Sequence, residues 1–253
     1  MIEVFDLIKR FGALTAVNNI SLKISAREWY LFVGPNGAGK TTTFRMLAGL
    51  IPPTQGKIRI KGRDVYQNSR YIKGIVGYLP EKPFLYSYLS GIEYLEFAAD
   101  MHSITGKLKH SRIQEILELV NFEQEAQDLI STYSSGMKKK LGLCAVLVHD
   151  PPILLLDEPT SDLDPRTSNL VRRLLQELTR LGKTVFMSTH IFGITEHLCH
   201  RVGILDRGRL IYEGTIESLQ HQFPNMSFEE VFLELTGRYD ESILSDFLDG
   251  ASD

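Results

Sequence analysis

The chain has 253 residues, 43% hydrophobic and 23% charged, enough to bury a sizeable core without disulfide or metal staples. Its 28 Lys and Arg stand against 31 Asp and Glu, a net charge of -3, and nothing in that balance argues for a nucleic-acid surface, which would be expected to be basic. The two cysteines, Cys144 and Cys199, lack metal-ligand spacing and read as buried free thiols of a reducing compartment.

At the N-terminus, "MIEVFDLIKRFG" carries early charges and no long apolar core, so it is not a secretory signal. Short apolar segments ("IEVFDLI", "ISLKIS", "WYLFVG") alternate with turn residues over residues 2–33 and read as strands, the last of them buried. A helix is expected from about Gly39 to Leu50, stopped by Pro52 and Pro53. "GKIRIKG" alternates with period two, and "IVGYLP" reads as a further strand. From about residue 85 to 148 the pattern turns helical: "GIEYLEFAADMH" and "SRIQEILELVNF" space apolar residues at i, i+3 and i+4. That block reads as a helical lobe inserted between strands.

Strand and helix then alternate through "ILLLDE", "RTSNLVRRLLQELTRLG", "TVFMSTH", "FGITEHLCH", "RVGILD" and "RLIYEG", the pattern of a largely parallel sheet with helices packed on it. Asp164 followed by Pro165 is a good helix opening, a capping carboxylate before a proline at the first helical position. No run of 18 uncharged apolar residues occurs, so no membrane-spanning helix is expected. One domain over residues 1–220, carrying the lobe at about 85–150, and a short helical tail over 221–253 are expected.

Three motifs carry chemistry. "GPNGAGKTT" comprises Gly34, Pro35, Asn36, Gly37, Ala38, Gly39, Lys40, Thr41 and Thr42. It fits the phosphate loop G-x-x-x-x-G-K-[ST] and lies between a buried strand and a helix. Its glycines let backbone N–H groups converge on phosphate oxygens, and the helix N-terminus adds partial positive charge. Lys40 is expected to reach the β- and γ-phosphates, and the Thr41 hydroxyl to ligate Mg²⁺. "ILLLDEP" delivers two acids at the end of a buried strand, where they are costly unless a cation or nucleotide uses them, against the alternative of helix-capping acids. Asp157 suits the magnesium side and Glu158 the attacking water. "VFMSTH" ends another apolar strand with His190, on the edge where such sheets bind ligands.

Taken in order with "TYSSGMKKKLG", these motifs resemble the nucleotide-binding domain of ATP-binding cassette (ABC) transporters, and the supporting residues span nearly the whole chain. The resemblance implies a P-loop α/β core with a mainly parallel sheet, an N-terminal antiparallel β subdomain and an inserted helical subdomain. It implies ATP and Mg²⁺ as ligands and ATP hydrolysis as the activity. Tyr133-Ser134-Ser135-Gly136-Met137 stands where the family's LSGGQ signature does, with Ser135 for its first glycine and Met137 for the glutamine. Ser134, Ser135 and Gly136 would meet the γ-phosphate held by a second subunit, favoured by the helix dipole. A helix cap alone remains the other reading of that stretch. The lysines at 138–140 are expected to form a solvated basic face.

Further positions carry over. Ser161 and Asp164 fall in the D-loop, with Asp162 at a usually small apolar position. Phe11 matches the aromatic that stacks on adenine, against the alternative of a phenylalanine in the sheet core. Glu81 stands where the family has its Q-loop glutamine and would keep an oxygen for Mg²⁺ or water.

The resemblance also implies a homo- or heterodimer of cassettes and a separate integral membrane permease, which inserts a coupling helix near residues 81–100. The chain would then sit at the cytoplasmic face of the membrane, held by its permease. The aromatic stretch "YLPEKPFLYSYLSG" suits that groove or the lobe's own core. "MSFEEVFLELTG" resembles the ending of cassettes that serve exporter-type permeases, and no regulatory domain of ordinary size is expected after it. The alternatives are a non-transport ATPase of the same family and a P-loop regulatory nucleotide-binding protein. A GTPase would show an N-K-x-D motif, which the chain lacks.

Overall fold

The computed structural model describes residues 1–191 and 199–236. The strands form two separate sheets. The first contains β1 (Ile2–Phe11), β2 (Leu14–Ile24), β4 (Gln55–Ile60) and the two-residue β5 (Arg63–Asp64), in the order β2-β1-β4-β5 and antiparallel throughout. The second contains β3 (Trp29–Val33), β6 (Val76–Leu79), β7 (Ile153–Asp157), β8 (Thr184–Thr189), β9 (Arg201–Asp206) and β10 (Arg209–Thr215). Its order is β10-β9-β3-β8-β7-β6, parallel except for β10 on β9. The expected fold class stands.

Alternation along the buried strands divides the interior into two cores. On β3, Trp29, Leu31 and Val33 face one side, while Tyr30 and Phe32 face the other. The first core adds Leu154, Leu156, Val185 and Met187 to helical residues. The second adds Leu155 and Phe186 to Ile2, Val4 and Ile20 of the antiparallel sheet and to Phe44 and Leu47 of α1 (Lys40–Leu47). A sheet covered on both faces needs near-continuous apolar strands, which is why "WYLFV" and "ILLL" read as unbroken runs.

Helix α1 ends before the expected Leu50. Gly49 takes a left-handed φ of 70°, its N–H bonds the Met46 carbonyl and Leu50 N–H returns to Arg45, so the chain turns ahead of the prolines. A short helix that the sequence pattern leaves unmarked, α2 (Ser69–Ile75), precedes β6.

The lobe consists of α3 (Gly91–Met101), α4 (Gly106–Leu119), two single 3₁₀ turns and α5 (Ser135–Leu147). Ser90 and Glu93 form a reciprocal capping box on α3. The long helix α6 (Pro165–Arg180) starts as expected: Asp164 Oδ1 accepts from Arg166 and Thr167 N–H at 2.9 and 3.1 Å. Helices α7 (Ile216–Gln222) and α8 (Phe228–Thr236) close on the first core through Leu219, Phe228 and Val231. Residues 192–198, within "FGITEHLCH", and residues 237–253 of the expected tail lie outside the described residues. Among those described, no helix is long and apolar enough to cross a membrane. Burial pushes the thiols of Cys144 and Cys199 up to about 12.

Candidate active site

Parallel strands carry the motif residues to one edge. Val33 is in register with Thr189 and Asp157 with Ser188, so the residues after β3, β7 and β8 emerge side by side. The loop after β3 is pressed against the next strand and the N-terminal sheet. A Cβ on Gly34 would lie 2.3 Å from the Leu205 carbonyl oxygen. One on Gly39, at φ 104°, would lie 2.4 Å from that of Ala16. Both positions therefore require glycine. Lys40 is buried; its Nζ donates to Gly34 O at 2.7 Å and Pro35 O at 3.2 Å and lies 3.4 Å from Glu158 Oε1.

Asp157 is fully buried. Its Oδ1 accepts from the Ser188 hydroxyl at 2.6 Å, while Oδ2 has no partner among the described residues. Burial raises its pKa, and hydrogen bonds from the Ser188 and Thr41 side chains oppose that rise. A buried carboxylate oxygen of this kind beside the Thr41 hydroxyl suits a hard divalent cation, so the residues fit Mg²⁺.

Glu158 has a left-handed backbone, φ 50°. A non-glycine residue there costs roughly 1–3 kcal/mol and persists where its surroundings over-determine it. Its N–H donates to Ser188 Oγ at 3.0 Å. Its carbonyl accepts from Ser161 N–H (3.2 Å), Ser161 Oγ (2.9 Å) and Lys139 Nζ (3.0 Å). The carboxylate thus points between Lys40 and His190, whose Nδ1 is 3.0 Å from Oε2.

Phe11 is half exposed at the end of β1, which removes the sheet-core alternative. With Leu14, Ala16, residues 35–42, Glu81 and Glu158 it lines one cleft, and Lys9 Nζ stands 5.1 Å from its ring centre. The structure therefore brings Phe11, Pro35 to Thr42, Glu81, Asp157, Glu158 and His190 together, with Gly34 at the base of the loop.

It does not bring Ser134, Ser135 or Gly136 into that cleft. Ser134 Oγ accepts Met137 N–H at 3.2 Å, an ordinary N-cap, and both serines are exposed. A Cβ on Gly136 would lie 2.9 Å from the Asp162 carbonyl, so the start of α5 rests on the D-loop of its own chain. Asp162 sits at φ 63°, and Asp164 is occupied in capping α6.

Two residues escaped the sequence reading. Ser188 ties the two acids together, and its signal is a serine inside an otherwise apolar buried strand. Lys139 corrects the expected basic face: Lys138 and Lys140 are half-buried, but Lys139 is 1% exposed. Its Nζ donates to the Glu81 and Glu158 carbonyls. Burial lowers its pKa, while Asp162, Glu81, Asp157 and Glu158 hold it up.

A second cleft opens beside β6 and the lobe and is lined by Tyr78, Pro80, Pro83, Phe84, Tyr94, His102 and His149. The aromatic stretch is not lobe core: Phe84 is 91% and Tyr88 94% exposed, and Tyr86 stacks edge-on against Phe97.

The family model for ABC transporters matches residues 17–161. The bacitracin transport ATP-binding protein BcrA of Bacillus licheniformis is 38% identical over 221 residues, covering 87% of this chain and 71% of that protein. The linearmycin resistance ATP-binding protein LnrL of Bacillus subtilis (strain 168) is 35% identical over 215 residues, covering 85% and 69%. Among solved structures, an ATP-binding subunit of an ABC transporter superposes with a TM-score of 0.86 at 29% identity, covering 93% of this chain and 99% of that one. A dimeric ATP-binding cassette in a post-hydrolysis state, bound to ADP and Pi, gives 0.79 at 25% identity, covering 85% and 99%.

Proposed function

This chain belongs to the ABC transporter family, and from that premise we propose that it is the ATP-hydrolysing motor subunit of an exporter-type membrane transporter. Relatives named for bacitracin transport and linearmycin resistance support the exporter reading. The observation that carries most weight for hydrolysis is the convergence of Lys40 and His190 on the Glu158 carboxylate, at 3.4 and 3.0 Å, beside buried Asp157.

ATP places its phosphates on the N–H groups of residues 34–42, with the adenine against Phe11. Lys40, now folded onto its own loop carbonyls, turns to the β- and γ-phosphates. Thr41, Asp157 and Glu81 would hold Mg²⁺, which when bound offsets phosphate charge. Glu158 orients and deprotonates water for attack on the γ-phosphorus, a contribution of about 10²–10⁴ in rate. His190 keeps that carboxylate aimed. ADP and phosphate leave.

The signature residues Ser134, Ser135 and Gly136 serve the ATP of a second cassette. That role accounts for a polar, exposed helix start lying outside its own chain's cleft. Ser161 and Asp164 shape the D-loop between the two sites. A permease segment near residues 81–100 docks in the cleft beside Phe84, Tyr94 and His102, placing the chain peripherally on the cytoplasmic face. Exposed aromatics at its rim support that docking.

The test is the Glu158→Gln chain with ATP and Mg²⁺, followed by size exclusion with light scattering. A dimer abolished by Ser134→Arg supports the sandwich. A monomer with ATP bound counts against it.

A further inference from the structure

Lys139 is a motif residue that the functional reading leaves unused. A fully buried ammonium needs a reason to be where it is, because an uncompensated charge is strongly disfavoured away from water. Its position follows from the helix. Lys139, Gly142 and Val146 share one face of α5, at i, i+3 and i+7, and that face lies on β6 and the segment after it. A Cβ on Gly142 would lie 2.9 Å from both Leu79 Cδ1 and Pro83 Cγ, and one on Gly77 2.6 Å from Val146 Cγ1. The helix therefore approaches the 79–83 segment as closely as side chains allow. One turn earlier, Lys139 crosses the remaining gap. It donates to the Glu81 carbonyl on one side and, at 3.0 Å, to the Glu158 carbonyl on the other.

We propose that Lys139 is a positioning residue for hydrolysis: its ammonium joins the signature helix, the Glu81 segment and the backbone of Glu158, and so aims the Glu158 carboxylate. Three donors meet the Glu158 carbonyl, and two of them come from Ser161, three residues away. Lys139 alone reaches it from the helical lobe. The same cation sits among Glu81, Asp157, Glu158 and Asp162. Displacing α5 from the 79–83 segment withdraws this donor, so the lobe's seating is felt at the base itself while the phosphate loop is untouched.

The inference rests on hydrolysis at Glu158, and the experiment separates the two. ATP dissociation constants and single-turnover hydrolysis rates are measured for the parent chain, Glu158→Gln, Lys139→Met, Lys139→Gln and Lys139→Arg, with unfolding midpoints alongside. Lys139→Met should hydrolyse at least tenfold more slowly while binding ATP within twofold of the parent. Lys139→Arg, which keeps a cationic donor, should recover to within threefold. A Lys139→Met chain at the parental rate, or one whose binding and hydrolysis fall by the same factor, overturns the proposal. If the Met variant does not fold, Lys139→Gln is read in its place, with at least a threefold loss of rate expected at unchanged binding. Failure of both to fold also overturns the proposal, by making Lys139 a residue of the fold alone. A parental rate in Glu158→Gln overturns the hydrolysis reading and this inference with it.

Discussion

Ser188 and Asp157 are joined across neighbouring strands: the serine hydroxyl donates to Asp157 Oδ1 over 2.6 Å, and its oxygen accepts the Glu158 N–H over 3.0 Å. One hydroxyl thus orders both acids of the site. Ser188→Ala strands a buried carboxylate oxygen and a backbone N–H, which should destabilise the chain by about 1–3 kcal/mol. Hydrolysis should fall roughly tenfold, within the range that misplacing a catalytic group can remove. Denaturant unfolding and a turnover assay check the pair. Unchanged turnover would show that the acids hold their places without it.

Phe11 presents its ring to the phosphate-loop cleft with Lys9 beside it. Stacking of a base on an aromatic ring is worth about 1–3 kcal/mol and tolerates every base. Phe11→Ala should therefore weaken ATP binding by roughly 5- to 150-fold, and GTP binding by a similar factor. Phe11→Tyr should bind like the parent. Equilibrium titration with both nucleotides decides; parental affinity in the alanine variant would remove Phe11 from the site.

His149 stacks on His102 with ring centres 3.7 Å apart, and burial lowers its imidazole from 6.5 to about 4, with His102 and Lys183 adding to the effect. Between those values the unfolded chain binds a proton that the folded chain refuses. The contribution to stability is full above about 6.5 and is lost as the pH falls toward 4. The drop in unfolding midpoint from pH 7 to pH 5 should be smaller in His149→Phe than in the parent. Equal drops would mean that His149 is protonated in the folded state.

The sequence displays most of the fold and much of the site because those features are local. Gly34 to Thr42 is one contiguous motif, although what Gly34 and Gly39 make room for lies far along the chain, at Leu205 and Ala16. Asp157, Glu158 and His190 end apolar runs whose patterning marks them as buried strands. Ser188 and Lys139 are different, since each acts through a contact between elements distant in sequence. Ser188 is a small polar residue in a strand until Asp157 is paired with it. Lys139 hides in a run of three lysines, a pattern that ordinarily faces water. Only the close seating of α5 at Gly142 turns one of them inward. Helix α2 is too short for an apolar period to emerge, and Phe84 and Tyr88 look like core residues by composition although they stand in solvent.

Strands β6 and β7 are hydrogen-bonded neighbours at the edge of the large sheet, and the helical lobe both leaves and rejoins the core through them. Neighbouring strands lie about 4.8 Å apart. The lobe therefore enters and leaves the large sheet at one edge, while its helices share the first core with that sheet. The reach of Lys139 to the Glu81 and Glu158 carbonyls fastens the lobe to the ends of those same two strands, so the edge by which it is attached is also the edge that bears the acids.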